Sequence, residues 1–171
     1  PATPPALADA RYGYAFAPGT EAGSRLLAAL LADSVPVRFA PHAFNGGGMS
    51  FPQGAFVVRA SGSDSVPVRE RVGRHAAAAR AQVAPLGSAA ASSGTDLGSN
   101  SVIPVRPPRV ALLGGSPIAG QSFGYAWYAL DNRLGYPSTA IDADAIASGV
   151  LSDFDVLILP SVFSSPMSPP L

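Results

Sequence analysis

Residues 109–160 constrain the fold more than any other part of the chain, because strand-like and helix-like stretches alternate along them. The apolar run after Arg109 closes on Gly114 and Gly115, as expected of a buried parallel strand that enters a tight turn. A second apolar run begins at Phe154 and ends at Pro160. The residues between the runs suffice for a crossover helix and another strand. The segment therefore predicts a doubly wound α/β unit.

Capping and turn residues divide this intervening stretch into elements. Ser122 is suited to cap a helix that ends at Gly135, and Trp127 is predicted to lie in its buried face. Residues 138–141 are predicted to be the middle strand, and a short helix from Asp144 ends at a glycine. The helix residues expected to face the sheet are Phe123, Trp127, Leu130 and Leu134.

The beginning of the chain carries a second set of α/β signals. Residues 12–17 form a predicted strand that Pro18 ends, and Thr20 is placed to cap the following helix. Residues 35–40 and 54–59 are also predicted strands, and Pro36 places the start of the first at a sheet edge. The leucines of the helix form one predicted buried stripe, made of Leu26, Leu27, Leu30 and Leu31.

A turn and a longer helix complete this first part. Asn45 and the glycines after it are typical of a hairpin turn. A helix is predicted over residues 67–84, with Ser65 as its cap and Pro85 as its end. Its apolar residues recur at helical spacing and are Val68, Val72, Ala76, Ala79 and Val83.

A change in composition divides the chain into two predicted lobes. Residues 86–108 are rich in Ala, Ser, Gly and Pro, which is typical of a linker. The predicted organisation is a small α/β lobe over residues 9–85, the linker over 86–108, and an α/β lobe over 109–171. The chain starts at Pro1 and the predicted strand 154–160 has no covering element after it, so we expect a piece of a longer protein.

Charge and composition exclude several classes of function. The 171 residues include 11 basic and 11 acidic side chains, so the sequence offers no basic patch for nucleic acid. Every basic residue other than histidine is an arginine, and there is no cysteine. Disulfides, thiolate zinc sites and cysteine nucleophiles are therefore excluded. No apolar stretch approaches the roughly 20 residues that a membrane span needs.

The candidate ligand-binding residues are Gly114, Gly115 and Ser116, because α/β sheets bind ligands at the carboxyl ends of their strands. Backbone amides at such a turn can hold a phosphate or a carboxylate. The alternative is a tight turn without a ligand, since Gly120 and Pro117 do not fit the GxGxxG spacing and no P-loop follows.

No catalytic or metal-binding set emerges from the other polar residues. His42 and His75 fall in different elements, and a partly buried structural role is expected for His75. Asp142 and Asp144, with Asp153 and Asp155 nearby, offer paired carboxylates for acid–base chemistry or for a cation. Helix capping and solvent exposure are the simpler interpretation. The sequence predicts no catalytic residue and no metal ligand in this chain.

Three stretches resemble the region that follows the catalytic domain in some bacterial zinc carboxypeptidase-like proteins. The first is the leucine-rich helix at residues 25–32 with the strand after it. The second is residues 44–58, with the order glycine, aromatic–proline, glycine, apolar strand. The third comprises residues 108–113, 135–137, 142–149 and 154–160. None of these stretches is a catalytic motif.

The third stretch is also similar to the start of class I glutamine amidotransferase-like domains, which have a flavodoxin-like sheet. Active members of that family place a cysteine nucleophile after a later strand, and this chain has no cysteine. Zinc carboxypeptidases bind their metal through a His-x-x-Glu pair, but Asn45 follows His42 at that spacing and Ala78 follows His75. The resemblance therefore implies that any peptidase chemistry, and its zinc, lie in an upstream domain.

The predicted fold is α/β with two lobes, the second a doubly wound flavodoxin-like or amidotransferase-like parallel sheet that is incomplete at its C-terminus. The predicted function is a non-catalytic accessory region of a zinc carboxypeptidase-like protein, packing against the upstream peptidase domain. Two alternatives remain: an amidotransferase-like domain that binds a small molecule or an anion, and a protein-interaction module. Self-association through an exposed sheet edge is expected, and the resemblance favours an extracellular or periplasmic location.

Overall fold

The computed structural model describes residues 7–60, 65–94 and 96–162. The protein is a mixed α/β protein that divides into two compact units, Pro1–Pro107 (unit 1) and Pro108–Leu171 (unit 2). Among the described residues, no helix is both long enough and apolar enough to cross a bilayer.

The described residues of unit 1 form two helices and eight strands. The helices are α1 (Glu21–Ala32) and α2 (Ser65–Ala79). The strands are β1 (Gly13–Phe16), β2 (Val37–Phe39), β3 (Phe44–Gly46), β4 (Met49–Phe51), β5 (Phe56–Arg59), β6 (Ala84–Leu86), β7 (Ser93–Gly94) and β8 (Ile103–Pro104).

The main sheet of unit 1 has five antiparallel-paired strands in the order β6-β1-β5-β2-β8. Because β5 lies between β1 and β2, the connection through α1 is a split β-α-β unit. The connection through α2 from β5 to β6 is a second one, with β1 in between. This is the β-α-β-β-α-β topology of ferredoxin-like folds, extended by the hairpin β3–β4 and by β8.

Both faces of this sheet are buried. Tyr14 and Phe16 of β1 pack with α1 and α2 on one face, whereas Ala15 belongs to a separate cluster on the other face. The alternation follows from the two-residue period of a strand. On the helix face the buried contacts come from the residues Leu26, Leu30, Val37, Val58, Val68, Val72, Ala76 and Ala79.

The second face is covered by the stretch that was expected to be a linker. Residues 86–107 belong to unit 1 and contribute β7, β8 and part of β6. Leu97 and Val102 are 1% and 0% exposed and pack with Phe44 and Phe51 of the hairpin. The small and polar residues of this stretch make turns between these buried positions, so composition alone did not reveal its role in the core.

Two arginines hold this stretch against the sheet. Arg38 of β2 donates through Nε and Nη2 to the carbonyl of Val102, at 3.1 and 2.8 Å. Arg59 of β5 donates to the carbonyl of Leu97 at 3.3 Å and to the hydroxyl of Tyr12 at 3.0 Å. The forked, always charged guanidinium is suited to such paired contacts.

The capping signals of unit 1 are partly confirmed. Thr20 caps α1, its hydroxyl accepting from the amide of Gly23 at 2.9 Å. The helix predicted over residues 67–84 instead begins at Ser65 and ends at Ala79. Arg80 adopts a left-handed conformation (φ 56°), and the amide of Ala81 donates to Ala76, which closes the helix.

Two predictions based on proline were wrong. Pro85 does not end a helix but lies within β6, an edge strand, where its missing amide is tolerated. Pro36 does not place β2 at an edge, because β2 pairs with β5 on one side and β8 on the other. Pro104 of β8 occupies that edge instead. Proline thus marks sheet edges here, at positions other than the predicted one.

Unit 2 is a three-stranded parallel sheet with short helices. Its strands are β9 (Val110–Leu113), β10 (Thr139–Ile141) and β11 (Val156–Ile158), in the order β10-β9-β11. Its helices are α3 (Gly120–Trp127), which continues as a π-helical segment (Tyr128–Leu134), and α4 (Ala143–Ala147). The middle strand in sequence, β10, is therefore an edge strand in space.

The helix after β9 differs from its prediction in two ways. Ser122 does not cap it, because α3 begins at Gly120 and the hydroxyl of Ser122 accepts from the amide of Ser161 at 2.9 Å. Trp127 was predicted to be in the core but is 44% exposed, and α3 has no buried residue. The predicted stop at Gly135 is confirmed by its left-handed backbone (φ 66°).

Gly13 of β1 lies close against β5, since a Cβ there would collide with the carbonyl oxygen of Val58. We expect Gly13→Ala to lower the free energy of unfolding by about 2–3 kcal/mol, as overpacking does. Gly73→Ala is the matched control, because a Cβ in α2 would make an ordinary 3.6 Å contact with Leu7. It should stabilise the protein by about 0.5–1 kcal/mol. Urea denaturation followed by circular dichroism measures both, and equal effects would contradict the close approach.

Candidate functional site

The main candidate site is a cleft of about 440 Å³ in unit 2, at the carboxyl ends of β9 and β10. Gly114 follows β9, and its amide donates to the carbonyl of Ile141 at 2.8 Å, which extends the parallel ladder by one step. Asp142 follows β10 and so comes to lie beside Gly115. The cleft is lined by Gly114, Gly115, Ile118, Gly120, Phe123, Ala140, Ile141 and Asp142.

The loop between β9 and α3 forms one wall of the cleft and is held by hydrogen bonds. The amide of Ile118 donates to Gly115, at 2.8 Å, and closes the turn. The amide of Ala119 donates to the carbonyl of Ser161 at 2.9 Å, and Ile118 forms a β-bridge with Val162. These contacts attach the loop to the chain that follows β11. The wall is therefore preformed.

Glycine is required at the floor of the cleft. The ring of Phe123 lies 3.0 Å from where a Cβ of Gly114 would be, so a side chain at this position would push the ring away. Gly115 has a positive φ of 72°, a conformation that other residues rarely adopt. Gly114 thus lets the aromatic ring approach the turn, whereas Gly115 provides the left-handed backbone conformation of the turn.

The charge of the cleft is negative. Asp142 is the one ionisable residue among its lining residues. Its Oδ1 accepts from the amide of Ala145 at 2.8 Å, so the side chain caps α4. This confirms the capping interpretation for Asp142. The amides of Gly114, Ile118 and Ala119 are all used within the protein. Among the lining side chains, the one polar group is therefore the Asp142 carboxylate, an acceptor.

Of the three predicted ligand-binding residues, Gly114 and Gly115 line the cleft and Ser116 does not. Ser116 is exposed at the tip of the turn. Asp142 and Phe123 were not predicted to belong to this site. The parallel register of β9 and β10 brings Asp142 to Gly115. The position of Asp142 directly after the predicted middle strand could have indicated this, because the residues that follow neighbouring parallel strands meet at one edge of the sheet.

A second polar cluster lies at the opposite end of the sheet in unit 2. The backbone amide of Arg109 donates to Asp155 at 2.7 Å, and its guanidinium lies 3.3 Å from the same carboxylate. The hydrogen bond from that amide, followed by the one from the side chain, lowers the pKa of Asp155. Tyr136 donates to the carbonyl of Pro108 at 2.6 Å, and burial raises its pKa. This cluster fixes where β11 begins to pair with β9.

A third cluster joins α1 to α2 in unit 1 around the carboxylate of Asp33. His75 Nε2 lies 2.9 Å from Asp33 Oδ2 and donates to it, since an ionised carboxylate only accepts. Arg71 and Arg74 donate to the same oxygen at 3.0 and 3.2 Å. The hydrogen bonds from His75 and then Arg71 lower the pKa of Asp33 to about 2.

The expected structural role of His75 agrees with this contact. Its side chain is 20% exposed and lies between the two helices of unit 1. His42 is exposed. Within residues 7–60, 65–94 and 96–162, no group of three or more His, Asp or Glu side chains is arranged to hold a metal ion.

Comparison of the chain with protein-family models, with curated proteins and with solved structures finds no match. Its function must therefore be argued from its own residues.

We expect Asp33→Asn to lower the melting temperature at neutral pH, because it removes the charge that two arginines and His75 contact. Since the pKa of Asp33 is about 2 in the folded protein and roughly 3.9 when unfolded, its stabilising effect is present above pH ~4 and is lost as the pH falls towards 2. The difference from wild type should shrink over that range in thermal melts.

The control for this substitution is Asp9→Asn. The Asp9 side chain is 85% exposed and has a 3.5 Å contact with Arg69. Exposed ion pairs of this kind contribute little to stability, so the melting temperature of Asp9→Asn should stay close to that of the wild type. A pH-independent effect of Asp33→Asn would contradict the ionic role of Asp33.

Proposed function

We propose that the chain is a non-catalytic accessory region, of the kind found in zinc carboxypeptidase-like proteins, and that it acts by protein contact through unit 2. The observation that carries this proposal is the exposure of large apolar side chains in unit 2. Within the described part of the chain, most of the large hydrophobic residues that are exposed belong to this unit, although unit 1 is longer. They are Tyr125, Trp127, Tyr128, Leu151, Val156, Leu159 and Val162.

The aromatic residues of α3 and the π-helical segment support a contact role. Tyr125 is 69% exposed, Trp127 is 44% exposed and Tyr128 is 53% exposed. Large aromatic side chains contribute strongly to binding when a partner buries them. Solvent-facing aromatic residues this close together in sequence are better explained by contact with a partner than by folding of unit 2 alone.

The outer edge of β11 supports the same function. β11 pairs with β9 on one side, and no strand among the described residues pairs with its other side. Val156 in this strand is 41% exposed, and Leu159 just after it is 65% exposed. Unpaired strand edges with apolar side chains favour addition of another strand. The partner under this proposal is a polypeptide, either a peptidase domain of the same protein or a second copy of the chain.

A second candidate function, small-molecule binding by an amidotransferase-like domain, is favoured by the cleft. The order β10-β9-β11 corresponds to 2-1-3 along the chain, the order of the first three strands in flavodoxin-like sheets. Those sheets bind ligands where the first and third strands diverge. Here the bridge between Ile118 and Val162 lies at that point, and the cleft lies on the β10 side.

Contact through the β11 edge predicts that the 171-residue chain self-associates as its concentration rises. The double variant Val156→Lys, Leu159→Lys should shift the population to monomer, because lysine on an edge strand opposes further pairing. Light scattering after size-exclusion chromatography measures the mass of both proteins. The matched control is Ala147→Lys, which adds positive charge at an exposed residue of α4, outside β11 and outside the set of large apolar residues.

A wild-type chain that stays monomeric at every concentration would contradict self-association through this edge and leave the peptidase domain as the proposed partner. Loss of association in the Ala147→Lys control would attribute the effect to added charge instead. Circular dichroism of each variant verifies that its fold is retained.

The resemblance to zinc carboxypeptidase-like proteins has a separate test. Sequencing the genomic region in frame before the codon for Pro1 should show a domain with a His-x-x-Glu pair and a more distant histidine. A stop codon or an unrelated domain there would overturn the link to peptidases. The contact function of unit 2 would be unaffected, because light scattering tests it independently.

A further inference from the structure

The cleft of unit 2 has the composition of a site for a small organic cation. Its lining combines the apolar side chains of Ile118, Phe123 and Ile141 with one ionisable group, Asp142. Its volume of about 440 Å³ falls within the range of small-molecule sites, roughly 300–1,000 Å³. We propose that it binds a compact amine, with the apolar body against Phe123 and the ammonium group at the Asp142 carboxylate.

Part of the backbone around the cleft is not available to an anion, because the amides of Gly114, Ile118 and Ala119 donate to Ile141, Gly115 and Ser161, respectively. The stronger argument against an anion is the charge of Asp142. The Asp142 side chain is adjacent, because its Cβ lies 3.6 Å from where a Cβ of Gly115 would be. Its negative charge repels an anion and attracts a cation.

Asp142 is positioned well for this role. Oδ1 accepts from the amide of Ala145, which fixes the carboxylate at the start of α4. An ionised carboxylate has two oxygens with about four acceptor positions, so one capping hydrogen bond leaves capacity for a ligand. The donor group of an amine complements that capacity.

The neighbouring aromatic ring supplies the apolar contact. Phe123 packs against the backbone of Gly114, where any larger residue would displace the ring. Phe123 and Asp142 line the same cleft, and an aromatic ring together with a carboxylate favours an ammonium group that carries an apolar substituent. The inference deepens the second candidate function by naming the class of ligand.

The test uses three probes with the same body and different charge: benzylammonium, benzyl alcohol and benzoate. Each is titrated into the ¹⁵N-labelled 171-residue chain, and the amide shifts of Gly115 and Ala140 report binding. We expect benzylammonium to bind more tightly than benzyl alcohol, and benzoate to bind most weakly.

Asp142→Asn is the decisive variant, because asparagine keeps the cap of α4 but removes the charge. It should weaken the binding of benzylammonium by up to about fivefold, which is the range of exposed ion pairs, and leave the affinity for benzyl alcohol unchanged. Asp131→Asn, an exposed acidic residue of unit 2 outside the cleft, is the control for general charge and should change neither affinity.

Gly120→Leu provides a second variant that blocks the cleft. No atom lies within 4 Å of where its Cβ would be, so the leucine side chain can be accommodated without disturbing the fold. Because Gly120 lines the cleft, the leucine should fill it and weaken the binding of every probe. Tightest binding of benzoate, or equal benzylammonium affinity in wild type and Asp142→Asn, would overturn the cation assignment while leaving the cleft a binding site. Absence of shifts with all three probes would overturn the site itself.

Discussion

The structure of unit 1 depends on the burial of both faces of one five-stranded sheet. Its strands are only two to four residues long, so neighbouring strands share few ladder hydrogen bonds. Stability must therefore come mainly from the two apolar layers, at about 25 cal/mol for each Å² of apolar surface removed from water. Helices cover one layer. The other is covered by the hairpin and by the Ala/Ser/Gly-rich stretch after β6, which Arg38 and Arg59 hold in place.

The elements that local chemistry determines could be predicted from the sequence. Thr20, the turn glycines Gly47 and Gly48 and the Gly135 stop each act through neighbours within a few residues. In the predicted leucine stripe of α1, Leu26 and Leu30 are buried, and Leu27 and Leu31 are partly buried. Pro36 and Trp127 were misinterpreted because their environment depends on distant partners. β8 covers the outer side of β2, and the packing of α3 on the short sheet of unit 2 leaves Trp127 44% exposed. The composition of residues 86–107 indicated a flexible linker, because the few side chains that are buried there are separated by many small and polar residues.

The candidate site was predictable in position but not in chemistry. The glycines after β9 marked the carboxyl edge of a sheet, and the cleft is found there. The residues that complete the cleft depend on the pairing of β10 with β9. The amide of Ala119 is not available to a ligand because it donates to Ser161, which lies far along the chain. Both are tertiary features. These features shift the proposed ligand from an anion, which accepts hydrogen bonds, to an organic cation, which donates them.

The edge strand of unit 2 is fixed at both of its ends. Asp155, just before β11, is tied to Arg109, and Val162, after it, bridges to Ile118. A partner strand that adds to β11 would meet backbone groups that are already aligned. Little conformational entropy would be lost on this side of the complex, so the main ordering cost would fall on the incoming strand. A rigid partner strand should consequently bind more tightly than a flexible peptide of the same sequence.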